Sequence, residues 1–331
     1  MKVMIKATLQ KARSKIHISC DLWTSPNSLV ILGITAQFID ENRKLQSLVL
    51  ALKEIDGDHT GKNIAPYVIE AIREYEIEKN LGYFVMDNAD NNDTMLAELS
   101  LLLRRDHRIT YNATHHRLRC QGHIINLAVK SFLFVTDKEN IEEDEERDIY
   151  KTTIQEIEAW RKKGPLGKLH NFVVFLALST QRLHHFLELS HNHRIPRDNT
   201  TRWNSWFMLL SACWNLRDVI EEFYELYGTE DIKKDKLTDI EWAIIRTIKD
   251  FLEKLSMATK ACESKQSTLD LVLPSMDYIL SQFEKFKAEY KDDMIFSSMF
   301  NSGWAKMNKY YELSDDTPVY VAALVLYPLR K

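Results

Sequence analysis

The sequence predicts an α/β core built on a mixed five-stranded sheet, followed by an all-α lobe. Three observations predict it. β-branched, alternating runs crowd the first 120 residues, while helical spacing dominates after residue 149. Between them, Asp137 to Asp148 holds eight acidic side chains against Lys138 and Arg147, which reads as a linker. With 331 residues the chain exceeds the usual size of one domain.

The elements follow in order. Lys15–Leu22 alternates and is β-branched, a strand. Ser28–Ile39 is a second strand after the Pro26-Asn27 turn, and Leu45–Ile55 a third, so the three form an antiparallel meander. Thr60 stands at the start of a helix in which Ile64, Val68, Ile69, Ile72 and Tyr75 share a face. Gly82–Met86 is short and continuously apolar, as in a strand buried on both faces. A helix over Met95–Leu103, a short strand at Arg117–Cys120 and a helix over Ile124–Phe134 complete the core. Beyond the acidic run, Ile149–Arg161, Lys168–Leu187, Ser205–Tyr227, Thr238–Cys262, Leu269–Tyr290 and Met294–Tyr311 read as amphipathic helices. Val319–Leu326 is ambiguous between strand and helix. The expected division is a core over 1–136, a linker over 137–148, a helical domain over 149–316 and a segment over 317–331 returning toward the core.

Composition narrows the classes. The 9 Gly and 7 Pro suit a helix-rich protein, and the 45% hydrophobic content suits a sizeable core. A net charge of −4 gives no global signal for nucleic acid, although the acidic run hides a slightly basic remainder. Four cysteines without a CxxC pair argue against a disulfide framework and for a reducing compartment. Met1 to Ser14 has no apolar stretch of the secretory type, and no apolar run is long enough to span a membrane. Cytosol or nucleus is the expected location.

Asp21 and Asp87 are the candidate catalytic and metal-binding residues. Each ends an apolar, β-prone run, in Cys20-Asp21-Leu22-Trp23-Thr24-Ser25 and Asp87-Asn88-Ala89-Asp90-Asn91-Asn92. Strand ends of this kind form the mouth of an α/β sheet. Two carboxylates there make a hard-oxygen site suited to Mg²⁺ or Mn²⁺. The plainer alternative is that both shape turns, Asp87 through an Asx turn. The order β-β-β-α-β-α-β-α matches the ribonuclease H-like arrangement, in which the first and fourth strands are parallel neighbours.

Four motifs carry a more specific resemblance. Asp21-Leu22-Trp23-Thr24-Ser25 resembles the DLWTS motif of hAT-superfamily transposases, and Asp87-Asn88-Ala89-Asp90-Asn91-Asn92 their DNASNN motif. Arg119-Cys120-Gln121-Gly122-His123-Ile124-Ile125-Asn126-Leu127 is similar to RCxAHxLNL, and Thr201-Arg202-Trp203-Asn204-Ser205 to TRWNS. The resemblance covers roughly residues 15–331. It implies a ribonuclease H-like core interrupted by a helical insertion, with cut-and-paste DNA transposition in the nucleus by two-metal phosphodiester chemistry. Asp21 and Asp87 match two members of an Asp-Asp-Glu triad. Trp203 matches a tryptophan that handles a flipped base, with a core anchor as the alternative.

Arg104, Arg105, Arg117, Arg119 and Arg202 are the basic residues expected to face transposon-end DNA. Cys120 and His123 read as structural bracing or as half of a zinc site completed by His115 or His116, with bracing preferred. The family's third carboxylate, BED zinc finger and dimerisation segment have no counterpart in the sequence. The expectation is therefore a transposase truncated at both ends and inactive alone, with homo-oligomers confined to the full-length family. A domesticated DNA- or protein-binding module and a non-functional transposon fragment are the alternatives.

Overall fold

The structure, a computed structural model, describes residues 2–25, 27, 29–135, 153–197, 203–262 and 268–328. The acidic linker expected over 137–148 lies outside the described residues, as does Arg202. The chain divides into two compact units, one made of Met1–Ile124 with Lys309–Lys331, the other of Ile125–Asn308.

The first unit opens with helix α1 (Lys2–Gln10), which the sequence reading passed over. Leu9 buries itself in the core, while Lys2 and Lys6 pair with Glu74 and Glu76 at 2.5 and 2.6 Å. Strands β1 (Ile16–Thr24), β2 (Val30–Ile39) and β3 (Leu45–Glu54) form the antiparallel meander. Helix α2 (Gly61–Glu74) leads to β4 (Leu81–Met86), which pairs parallel with β1. Helix α3 (Asp90–His107) precedes the three-residue β5 (Arg117–Arg119), parallel to β4. The sheet order is β3-β2-β1-β4-β5.

Alternation explains which face is covered. Ile16, Ile18 and Cys20 of β1 and Leu32, Ile34, Ala36 and Phe38 of β2 join Ile64, Val68 and Ile72 of α2 and Leu96, Leu99 and Leu103 of α3 in one core. Asp21 alternates onto the opposite face. Gly61 lets the starts of α2 and α3 touch: a Cβ there would lie 2.3 Å from Met95 N and 2.4 Å from Asn91 O.

Helix α4 (Gln121–Leu133) contains the division between the units. In the second unit the described helices are α5 (Ile154–Arg161), α6 (Pro165–Ala177), α7 (Thr180–Leu189), α8 (Trp203–Asn215), α9 (Arg217–Tyr227), α10 (Asp239–Cys262) and α11 (Val272–Glu289). Helix α12 (Met294–Glu312) runs to the end of this unit and past it. Two runs expected as single helices are broken. Ser179 caps α7 by accepting the Arg182 N–H, which separates it from α6. Leu216 leaves helical geometry between α8 and α9. Phe132, Phe251, Phe283 and Phe300 interlock in the core of this unit.

The ambiguous Val319–Leu326 is a helix, α13, in the first unit. The edge of β5 is met there by side chains instead of a sixth strand. Thr317 Oγ1 donates to Arg117 O at 2.9 Å, and the Arg119 N–H donates to Tyr320 Oη at 3.1 Å. Among the described residues no helix is long and apolar enough to cross a membrane.

Candidate metal-binding site at the ends of β1 and β4

The β1–β4 pairing sets Ile18 opposite Phe84 and Ser19 opposite Val85. Two residues further along each strand, the same register sets Asp21 level with Asp87. Both line a cavity of about 90 Å³, together with Cys20, Leu22, Asn91 and Asn92. The sequence reading placed this pair side by side, and the topology brings it together.

The two acids differ in their settings. Asp21 is exposed, yet protein crowding one side of its carboxyl raises its pKa above the usual carboxylate range. The negative charge of Asp87 adds to that rise, while the Leu22 N–H and His123 oppose it. Asp87 is half-buried, and its Oδ1 accepts the Ala89 N–H at 3.1 Å and the Asn92 amide at 2.5 Å. The Asx turn considered from sequence is therefore present, and it coexists with the pairing of the acids. Oδ2 takes part in neither bond. Cys20 is buried beside them, and burial pushes its thiol up to about 12, so it stays protonated.

The donor set fits a hard cation. Two carboxylates share the cavity with Asn91, whose buried Oδ1 accepts no hydrogen bond while its Nδ2 donates to His59 O at 3.0 Å. All three offer oxygen, which suits Mg²⁺ or Mn²⁺. Among the described residues no three His, Cys, Asp or Glu side chains gather as a metal group. Of the zinc set considered around Cys120 and His123, His116 bonds Asn112 O at 2.9 Å and packs against Tyr83 and Tyr111. His123, at the start of α4, instead acts on Asp21 electrostatically.

The basic residues expected to face DNA are scattered. Arg117 is 4% exposed and is held by Asp93 at 2.7 Å, so it presents no guanidinium to solvent. Arg119 is partly exposed and bonds the same carboxylate at 3.1 Å. Burial pulls the Asp93 carboxyl up, and the two arginines outweigh it and hold it below its usual value. Arg104 and Arg105 are exposed but sit in the last turn of α3, about 21 Å along the helix from Asp90 at its start. Arg105 is paired with Asp106.

Trp203, expected to handle a base, is 4% exposed at the start of α8. Its backbone N–H donates to Asn126 Oδ1 at 2.8 Å, so two motifs distant in sequence meet through a buried bond. Its place is that of a core anchor. Sequence reasoning missed a different tryptophan. Trp23, two residues after Asp21 on the same face of β1, is 40% exposed. Its ring leans over Gly33, the cross-strand partner of Asp21; a Cβ on Gly33 would come within 2.9 Å of Trp23 Cζ3. A glycine inside a strand was the available signal of such a close approach.

Comparisons with known proteins agree with this architecture. The model described as the ZBED1 RNase-like domain matches residues 19–115, and that of the ZBED1 RNase-like helical domain matches residues 118–251. Together they account for well over half of the chain. The chain is 26% identical to tpeD of Talaromyces stipitatus, provisionally named a transcriptional regulator, over 98% of this chain and 37% of that protein. It is 24% identical to the AC transposase of Zea mays, likewise provisionally named, over 63% of this chain and 24% of that protein. It is 19% identical to the zinc finger BED domain-containing protein RICESLEEPER 2 of Oryza sativa, over 96% of this chain and 40% of that protein. The chain thus spans about 40% or less of the length of each of these relatives.

Proposed function

From the premise that this chain belongs to the hAT-type transposase-like proteins, we propose that the ends of β1 and β4 bind a divalent cation and meet DNA. The observation that carries the reading is the register that sets Asp21 and Asp87 level at one cavity. Their carboxylates are the ligands, and Asn91 Oδ1 is a third oxygen. Mg²⁺ or Mn²⁺ held there would supply positive charge facing a phosphodiester, one part of what in-line attack requires. Asp21, its pKa raised by burial and by the charge of Asp87, would be stabilised by an entering cation. The nucleus is the location this reading implies, and transposon-end DNA the partner.

With two carboxylates, the described residues are matched to one ion. Cut-and-paste chemistry through two ions needs a further acid. The isolated chain is therefore expected to load Mn²⁺ without cutting DNA. Mn²⁺ binding followed by electron paramagnetic resonance tests the site: Asp21→Asn and Asp87→Asn should each weaken it. Binding unchanged by both substitutions would overturn the assignment. Cleavage of a cognate end that Asp21→Ala abolishes would show that the site is complete.

A second reading is DNA binding without cleavage, as in a regulator. It is favoured by the near-complete coverage of this chain by tpeD. It predicts salt-dependent duplex binding that survives loss of both aspartates.

A further inference from the structure

Arg117 is a charge that the first unit has buried, and apolar residues of similar volume fill such positions at lower cost. What the guanidinium holds explains its presence. Its Nη2 donates to the main-chain carbonyl of Asp87 at 2.6 Å, and its Nε donates to Asp93 Oδ1 at 2.7 Å. Its own carbonyl accepts the hydroxyl of Thr317, which is 3% exposed. Arg117 thus ties together β5, the turn after β4, the first turn of α3 and the returning segment.

The bond to the Asp87 carbonyl has a particular effect. It fixes the backbone of that residue, while the Ala89 and Asn92 bonds fix its carboxylate. The neighbouring Asn88 is buried with neither amide atom hydrogen-bonded, so it lends this turn no side-chain bond.

We propose that Arg117 is the positioning residue of the site, holding Asp87 level with Asp21 from behind without touching ion or DNA. The proposal rests on the reading of the two aspartates as ligands. Outer partners of metal ligands commonly set affinity by about 10- to 100-fold.

The test uses the full chain with Arg117→Lys, Arg117→Met and Thr317→Val. Three quantities are read: Mn²⁺ affinity by electron paramagnetic resonance, hydrogen exchange of residues 86–92, and thermal melting. Arg117→Met should weaken Mn²⁺ by about tenfold or more and speed exchange in 86–92. Arg117→Lys, which keeps the charge but on a single nitrogen that cannot span both acceptors as Nε and Nη2 do, should restore part of both. Thr317→Val leaves the guanidinium in place and should produce the smaller change of the same kind; it carries the test if both Arg117 variants fail to fold. Wild-type affinity together with wild-type exchange in the folded variants overturns the proposal. Absence of Mn²⁺ binding in the unaltered chain removes the ligand reading instead, and the exchange data then decide whether Arg117 holds the turn.

Discussion

Asp21 in β1 stands level with Asp87, the residue that follows β4 and lies 66 residues on in sequence, and burial together with the charge of Asp87 raises the pKa of Asp21. The folded protein therefore carries an electrostatic conflict between two interior strands of its sheet.

That conflict has a sign. The folded-state pKa of Asp21 lies above its unfolded value, so the folded state holds this proton more tightly. The resulting penalty sets in as pH climbs past the ordinary carboxylate range, about 4, and is complete once pH exceeds the raised folded value. Asp21→Asn should raise the melting temperature at pH 7, with the gain disappearing in acid. A melting temperature at pH 7 below that of the unaltered chain would contradict this.

His17 titrates the other way. Burial lowers its pKa, and its Nδ1 accepts the Tyr83 N–H at 3.1 Å, a bond that protonation removes. Its ring also stacks on Tyr83, at 5.7 Å between centroids. The stability it confers is present above its unfolded pKa, about 6.5, and is lost as pH falls through the lower folded value. His17→Phe should lower stability at pH 8 and flatten its dependence between pH 8 and 5, as read by urea midpoints.

Trp203 should behave as core. Trp203→Ala is expected to cost roughly 3–5 kcal/mol in urea unfolding. Asn126→Ala, which leaves the buried Trp203 N–H without its acceptor, should cost about 1–3 kcal/mol. DNA affinity measured where both variants remain folded should be unchanged. A stable Trp203→Ala that loses DNA would return the base-handling role to this residue.

Trp23 should be the tryptophan that DNA senses. An exposed indole beside the candidate ligands can stack a base, worth about 1–3 kcal/mol. Trp23→Ala should weaken single-stranded DNA binding by that amount with little change in melting temperature. Trp23→Phe should keep most of the affinity.

The strands were legible because period-2 alternation and a continuously apolar β4 are local signals, while the pairing of Asp21 with Asp87 followed from the likeness of their order to the ribonuclease H-like arrangement. The burial of Arg117 was not, because its acceptors, Asp93 and the Asp87 carbonyl, lie 24 and 30 residues away. Arg104 and Arg105 looked close to the site in sequence, yet the length of α3 carries them to its far end. Trp203 was read through its motif, while its exposure is decided by helix packing that no five-residue word records. α13 was ambiguous for a similar reason. An apolar run becomes a strand only where an edge is free to pair, and Thr317 and Tyr320 already engage the edge of β5.

Those two contacts span 200 and 201 residues of chain. Synthesis at about 5–20 residues per second delivers the later partners roughly 10–40 s after β5 has been made. Until then the shortest strand of the sheet, and with it the hold of Arg117 on Asp87, lacks its outer support. The nascent chain must keep an unfinished edge from pairing elsewhere while the entire helical unit is being translated. Slow completion of the first unit, in the order of translation, is therefore built into the connectivity.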